Sequence, residues 1–179
     1  MANGTIGLKV NFTELVYAVV IGNSLNYITP DVVWPRLALY LFALAVIIDD
    51  WVLYHLSADK IEGTVRNQVA CFLLDIAVLV IWYLLALHED DQLAGFCFLL
   101  CLFYLSTSLW HILLQHVSPE KWLKETDIAL AATLFLIWFV LDKDSTSFSL
   151  IAFVAMVGAF VAFRVQDWLA LLKERDVKA

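Results

Sequence analysis

The stretch from Asn11 to Ile28, N-F-T-E-L-V-Y-A-V-V-I-G-N-S-L-N-Y-I, sets the terms for reading the whole chain. It is apolar enough to enter a bilayer, yet it holds a carboxylate at Glu14 and small or polar residues from Gly22 to Asn26. On a helix, Glu14, Ala18, Gly22 and Asn26 recur every four residues and form one small, polar stripe along a face. A plain membrane anchor has no use for such a stripe. Two readings account for it: close packing against another helix, or a wall that faces water. Periodicity alone leaves both open.

Outward from that stretch the chain stays apolar. Of 179 residues, 63% are hydrophobic and 16% charged, and mean hydropathy is +0.83. Such values exclude an ordinary soluble domain and predict an all-α polytopic membrane protein. Six apolar segments predict transmembrane helices over about 12–29, 33–56, 67–87, 93–117, 127–141 and 148–171, where ~20 residues cross ~30 Å of hydrocarbon. The fifth is the shortest. Together they use up the chain, which reads as a single transmembrane domain over 1–179. The first apolar run follows Lys9 and is not closed by a small-x-small cleavage pattern, so it is expected to be retained.

The charges test this count. With six spans, Lys9, Lys60, Arg66, Lys121, Lys124, Lys173, Arg175 and Lys178 fall on one side, and Arg36 and Lys143 on the other, with Arg164 inside the last span. That asymmetry predicts cytoplasmic N and C termini. The sequons Asn3-Gly4-Thr5 and Asn11-Phe12-Thr13 then lie in the cytosol and carry no sugar. The outer turns hold Asp31, Glu89, Asp90, Asp91, Asp142 and Asp144, which would concentrate cations at an outer mouth or simply favour solubility. Cys71, Cys97 and Cys101 all lie inside spans and read as small packing residues, with no disulfide or metal framework and no cofactor implied. Ser118-Pro119-Glu120 is read as the start of a short interfacial helix, and the tail from Lys173 is expected to fray.

Polar residues inside the spans gather at one depth. Asp49, Asp50 and His55 in the second span, Asp75 in the third, His111 in the fourth, and Arg164 and Asp167 in the sixth occupy the inner third, with Glu14 in the first. A charge at the bilayer centre costs at least ~2.5–3.5 kcal/mol, so this girdle must pair, protonate or meet water. One reading is structural: Arg164 pairs with Asp167 three residues on, or with Asp75, and the bundle is knitted together. The other is a wet inner vestibule in which His55 or His111 gives pH sensitivity. The excess of acids over the lone arginine leans toward some of them being wet or protonated.

Two of these segments share a pattern with a known family. Phe12-Thr13-Glu14 is followed by Val16-Tyr17-Ala18-Val19, and the second span carries Tyr40, then Trp51 eleven residues on, then His55 near its inner end. This resembles bacterial members of the transmembrane protein 175 potassium-channel family, relatives of the lysosomal potassium-leak channel. Thr13 and Glu14 stand where the family has Ser and Asp. Lys9 is the nearest match to its upstream Arg, and Gly22-Asn23-Ser24 interrupts its run of bulky aliphatics. The likeness covers about 45 residues, with the remainder matched only by topology. It implies a homotetramer in a bacterial plasma (inner) membrane, with first helices lining a pore for potassium. Ile21, Leu25 and Ile28, with Ser24, would be the gate. Thr13 and Glu14 would be anchored to Trp51 and His55.

The leading expectation is therefore an oligomeric cation channel, potassium-permeable, with the lipid bilayer and monovalent cations as its surroundings. The alternative is a non-conducting sensor or anchor whose basic inner face recruits a cytoplasmic protein partner; proton transfer through the girdle is a third. No nucleic-acid partner is expected. No His-Glu-x-x-His, Gly-x-Ser-x-Gly or phosphate-binding glycine loop occurs, so enzyme chemistry is not expected.

Overall fold

A computed structural model describes residues 15, 17–22, 25–26, 34–58, 65–86, 93–113, 121–141 and 149–178. Helical backbone at residues 15, 17–22 and 25–26 forms α1. The other helices are α2 (Trp34–Ala58), α3 (Val65–Ala86), α4 (Leu93–Leu113), α5 (Lys121–Val140) and α6 (Leu150–Lys178). Among the described residues only Leu141 and Ser149 are not helical, so the fold is all-α.

Local chemistry explains most of the ends. Pro35 sits in the first turn of α2, where its missing N–H costs nothing. Ser149 caps α6: its Oγ accepts the Ala152 N–H at 3.4 Å, and its carbonyl accepts the Phe153 N–H at 2.9 Å. Two ends differ from the sequence expectation. The fifth helix begins at Lys121 rather than at 127, so the expected interfacial segment and the fifth span are one helix. No Gly or Pro interrupts it. The sixth continues to Lys178 rather than fraying from Lys173, through Leu, Lys, Glu and Arg, which are good helix formers.

The chain divides into two compact units, Met1–Asp90 and Asp91–Ala179, with the boundary in the acidic sequence Glu89-Asp90-Asp91. In the second unit side-chain contacts fix the topology. Phe98, early in α4, packs on Trp138, late in α5, with ring centroids 5.2 Å apart; His111, late in α4, meets Asp127, early in α5. The two helices are therefore antiparallel. Cys97 meets Met156, and seven residues later Tyr104 meets Arg164, so α4 and α6 run parallel. Phe96, Leu100, Phe103, Leu130, Ala131, Leu134 and Met156 form the buried core between them. In the first unit Tyr17 of α1 bonds Asp50 of α2.

Each unit also turns large apolar side chains outward: Val69, Leu73 and Val80 on α3, Leu136 and Phe139 on α5, and Ile151, Val154 and Val161 on α6. Faces like these need an apolar surrounding or another protein surface. Among the described residues, two helices, Leu93–Leu113 and Leu150–Leu169, are long and apolar enough to cross a membrane.

Candidate functional site

The polar interior of the second unit is built from three helices. On α4, Tyr104, Ser108 and His111 recur at helical spacing and share a face. Thr126 and Asp127 come from the early part of α5, and Arg164 and Asp167, three residues apart, from α6. Asp127 and Asp167 are each 1% exposed and Arg164 4%, so water is excluded.

Arg164 holds both acids. Its Nη1 donates to Asp167 Oδ2 at 2.8 Å, and its Nη2 lies 3.2 Å from Asp127 Oδ1. The guanidinium also lies over the Tyr104 ring, 5.3 Å from the centroid, where the ring's negative face meets the cation. Thr126 Oγ1 donates to Asp167 Oδ1 at 2.9 Å. On the far side of Asp127, Oδ2 is 3.6 Å from His111 Nε2, and the Trp110 ring packs edge-on against that imidazole. Ser108 spends its hydroxyl on the Tyr104 carbonyl of its own helix, at 2.8 Å. With a neutral His111 the cluster carries one net negative charge, and with a protonated one it is neutral. Arg164 thus ties α6 to α5 and packs on α4. Among the described residues, no group of three or more His, Cys, Asp or Glu side chains is placed to hold a metal ion.

The first unit has a different arrangement. Tyr17 is buried, and its hydroxyl donates to Asp50 Oδ2 at 2.5 Å, fixing one face of α1 to α2. Ala18, Gly22 and Asn26 are exposed, and a Cβ built on Gly22 would meet nothing within 4 Å. At the start of α2, Arg36 Nε donates to the Tyr40 hydroxyl at 3.0 Å. Asp49, Asp75 and Trp51 are half-buried, each engaged with neighbours.

The residues singled out from sequence are distributed as follows. Of the gate candidates, Ile21 is half-buried and Leu25 is 53% exposed, while Ser24 and Ile28 lie outside the described residues. Of the anchoring network, Trp51 is described, whereas Thr13, Glu14 and the side chain of His55 lie outside the described residues. The girdle falls into two sets: Asp49, Asp50 and Asp75 belong to the first unit, and His111, Arg164 and Asp167 to the second, where they do converge. Arg164 takes Asp167, as its i+3 spacing suggests, and Asp127 as its other acid.

Asp127, Thr126, Tyr104 and Tyr17 complete these arrangements and were not among the expected site residues. Asp127 was taken as the edge of a span. The unbroken run from Lys121 was the signal that it lies about 9 Å inside a helix. Comparison of the chain with known protein families, with curated proteins and with solved structures returned no match.

Proposed function

We propose that the chain is a six-span membrane protein with cytoplasmic termini that assembles into an oligomeric cation channel. In this reading α1 lines the aqueous path. The resemblance to the transmembrane protein 175 family makes a homotetramer and potassium the expected form and ion. The observation that carries the reading is the two-sidedness of α1. One side is held: Tyr17 and Val20 are buried, and Tyr17 is bonded to Asp50. The other side is small and polar, with Ala18, Gly22 and Asn26 exposed and open space around Gly22. Four copies of such a face can enclose water, while the apolar faces of α3, α5 and α6 meet lipid. The segregation of lysines and arginines supports the six-span topology.

The test is cation flux into liposomes holding the purified protein, under potassium, sodium and proton gradients. The expected result is flux that prefers potassium and changes in Ile21→Ala and Leu25→Ala. No flux from a well-folded oligomer would end this reading.

One observation favours a second reading, a non-conducting module that docks a cytoplasmic protein. Beyond Leu172, the last residue of its apolar run, α6 continues as helix to Lys178 and carries Lys173, Glu174, Arg175, Asp176 and Lys178. A helix end projecting about 9 Å from a bilayer, with one net positive charge and three basic side chains, would offer a partner surface of mixed charge a docking point. That reading gains if flux is absent and a soluble protein co-purifies with the intact chain but not with one ending at Leu172.

A further inference from the structure

Sulfur is the chemistry in this molecule that neither reading of its function uses. Cys97 and Cys101 stand one turn apart on α4, both buried and both free thiols. The i,i+4 spacing puts their Cβ atoms about 5–6 Å apart on one helix face. From the sequence alone these are packing residues. The structure adds a third sulfur from another helix: Met156 of α6, 1% exposed, brings its Sδ to 3.7 Å from Cys97 Sγ. Two sulfurs of a three-coordinate shell, each about 2.3 Å from one metal ion, stand about 4.0 Å apart, close to this contact.

We infer that Cys97, Cys101 and Met156 form a three-sulfur site for a soft monovalent metal ion, copper(I). Ligand type selects the ion. Thiolate sulfur serves both copper(I) and zinc, but a thioether favours copper(I), whereas zinc sites use thiolate, imidazole and carboxylate, four in number. Among the described residues no cluster of three or more such zinc donors exists. Charge selects it too. When one thiol binds Cu⁺, its S–H bond breaks, an S–Cu bond forms and one proton leaves. The product is neutral, as an apolar bundle requires, and no change of oxidation state is involved. The second thiol and the thioether complete the shell as neutral donors.

The three ligands share one half of the unit. Cys97 and Cys101 lie four and eight residues, about 6 and 12 Å, from the start of α4, and Met156 six residues, about 9 Å, from the start of α6. Those helices run parallel, so all three depths are counted from the same end. The site belongs wholly to α4 and α6 and does not depend on whether α1 conducts.

The experiment is an anaerobic titration of the reduced, purified protein with copper(I), in competition with a chromophoric copper(I) chelator. Wild type should retain one copper per chain, and Cys71→Ser should retain it too. Losing an outer partner of a metal ligand costs about 10–100-fold in affinity, so losing a ligand in Cys97→Ala or Met156→Leu should weaken binding by at least about tenfold. Met156→Leu conserves volume, and unchanged helical circular dichroism separates ligand loss from unfolding. X-ray absorption of the copper complex should show a shell of three sulfurs. The inference is overturned if wild type binds no more tightly than the Cys97→Ala/Cys101→Ala double variant. It is equally overturned if Met156→Leu, still folded, binds as well as wild type.

Discussion

The two units hold their acids in different surroundings. In α4–α6, the buried Asp127 and Asp167 are held by a fixed cation, Arg164, which packs on the Tyr104 ring, and Asp167 also accepts from the Thr126 hydroxyl. In the first unit, the half-buried Asp50 accepts from the neutral hydroxyl of Tyr17. A carboxylate neutralised by arginine can stay dry, and a phenol brings no countercharge. The comparison sets an arginine-centred cluster in α4–α6 against a more open acid beside the helix proposed to line the path.

The sharpest way to break this contrast is Arg164→Met. Removing the cation leaves two buried carboxylates facing each other across α5 and α6, and a broken buried pair costs about 3–5 kcal/mol. Unfolding in detergent, followed by tryptophan fluorescence, should show a loss of that size. Adding Asp127→Asn and Asp167→Asn to the same chain should recover most of it, because the buried charge is then gone. If Arg164→Met alone unfolds like the parent, the cluster is not an electrostatic lock and the contrast between the units fails.

Next in size is Tyr17→Phe, which removes the Tyr17–Asp50 bond between α1 and α2 without opening a cavity. Interhelical hydrogen bonds in membranes average about 0.6 kcal/mol and reach about 1.7, with bonds to charged groups at the upper end. A loss of about 1–2 kcal/mol is expected, with faster proteolysis of the N-terminal segment in detergent. Asp50→Asn keeps an acceptor for the Tyr17 hydroxyl and should cost less. An equal or larger loss in Asp50→Asn would mean that the acid's main support is not Tyr17.

Composition and period carried the helical class and most helix positions, because apolar runs of membrane length bounded by polar turns have one economical reading. Arg164 with Asp167 was legible for a similar reason, since i,i+3 spacing on a helix is a local fact. Asp127 was not, because a carboxylate at the edge of an apolar window looks like a boundary when the preceding turn is amphipathic. The Tyr17–Asp50 bond joins residues 33 apart on different helices, and no periodicity within either helix connects them. Met156 and Cys97 are 59 residues apart, and no spacing rule connects them. What stayed hidden is the pairing of helices, which depends on how side chains of different segments fill shared space.

Gly22→Ala tests the open face of α1. A glycine inside a helix is about 0.8–1.0 kcal/mol less favourable than alanine, and here the added methyl meets nothing within 4 Å of the same chain. The isolated chain should therefore gain up to about 1 kcal/mol. If that face lines a path or packs on another copy, the same methyl should also change liposome flux or the oligomer's dissociation in detergent. A more stable chain with unaltered flux and assembly would assign the stripe to lipid and remove the main support for the pore.

Thr126→Val should have the smallest effect, and it makes the contrast quantitative. Thr126 and Tyr17 form the same kind of bond, a hydroxyl donating to an aspartate, buried for Asp167 and half-buried for Asp50, at 2.9 and 2.5 Å. Asp167 also has Arg164, so its charge is already balanced when the threonine hydroxyl is lost, and the expected cost is near the average of about 0.6 kcal/mol. Repeating Thr126→Val in the Arg164→Met/Asp127→Asn background removes that balance and should enlarge the cost toward the value for Tyr17→Phe. The difference between the two backgrounds measures the coupling of hydroxyl and guanidinium through one carboxylate. A coupling near zero would mean that Arg164 does not relieve Asp167 of its need for other donors, and that the two units handle their acids in the same way after all.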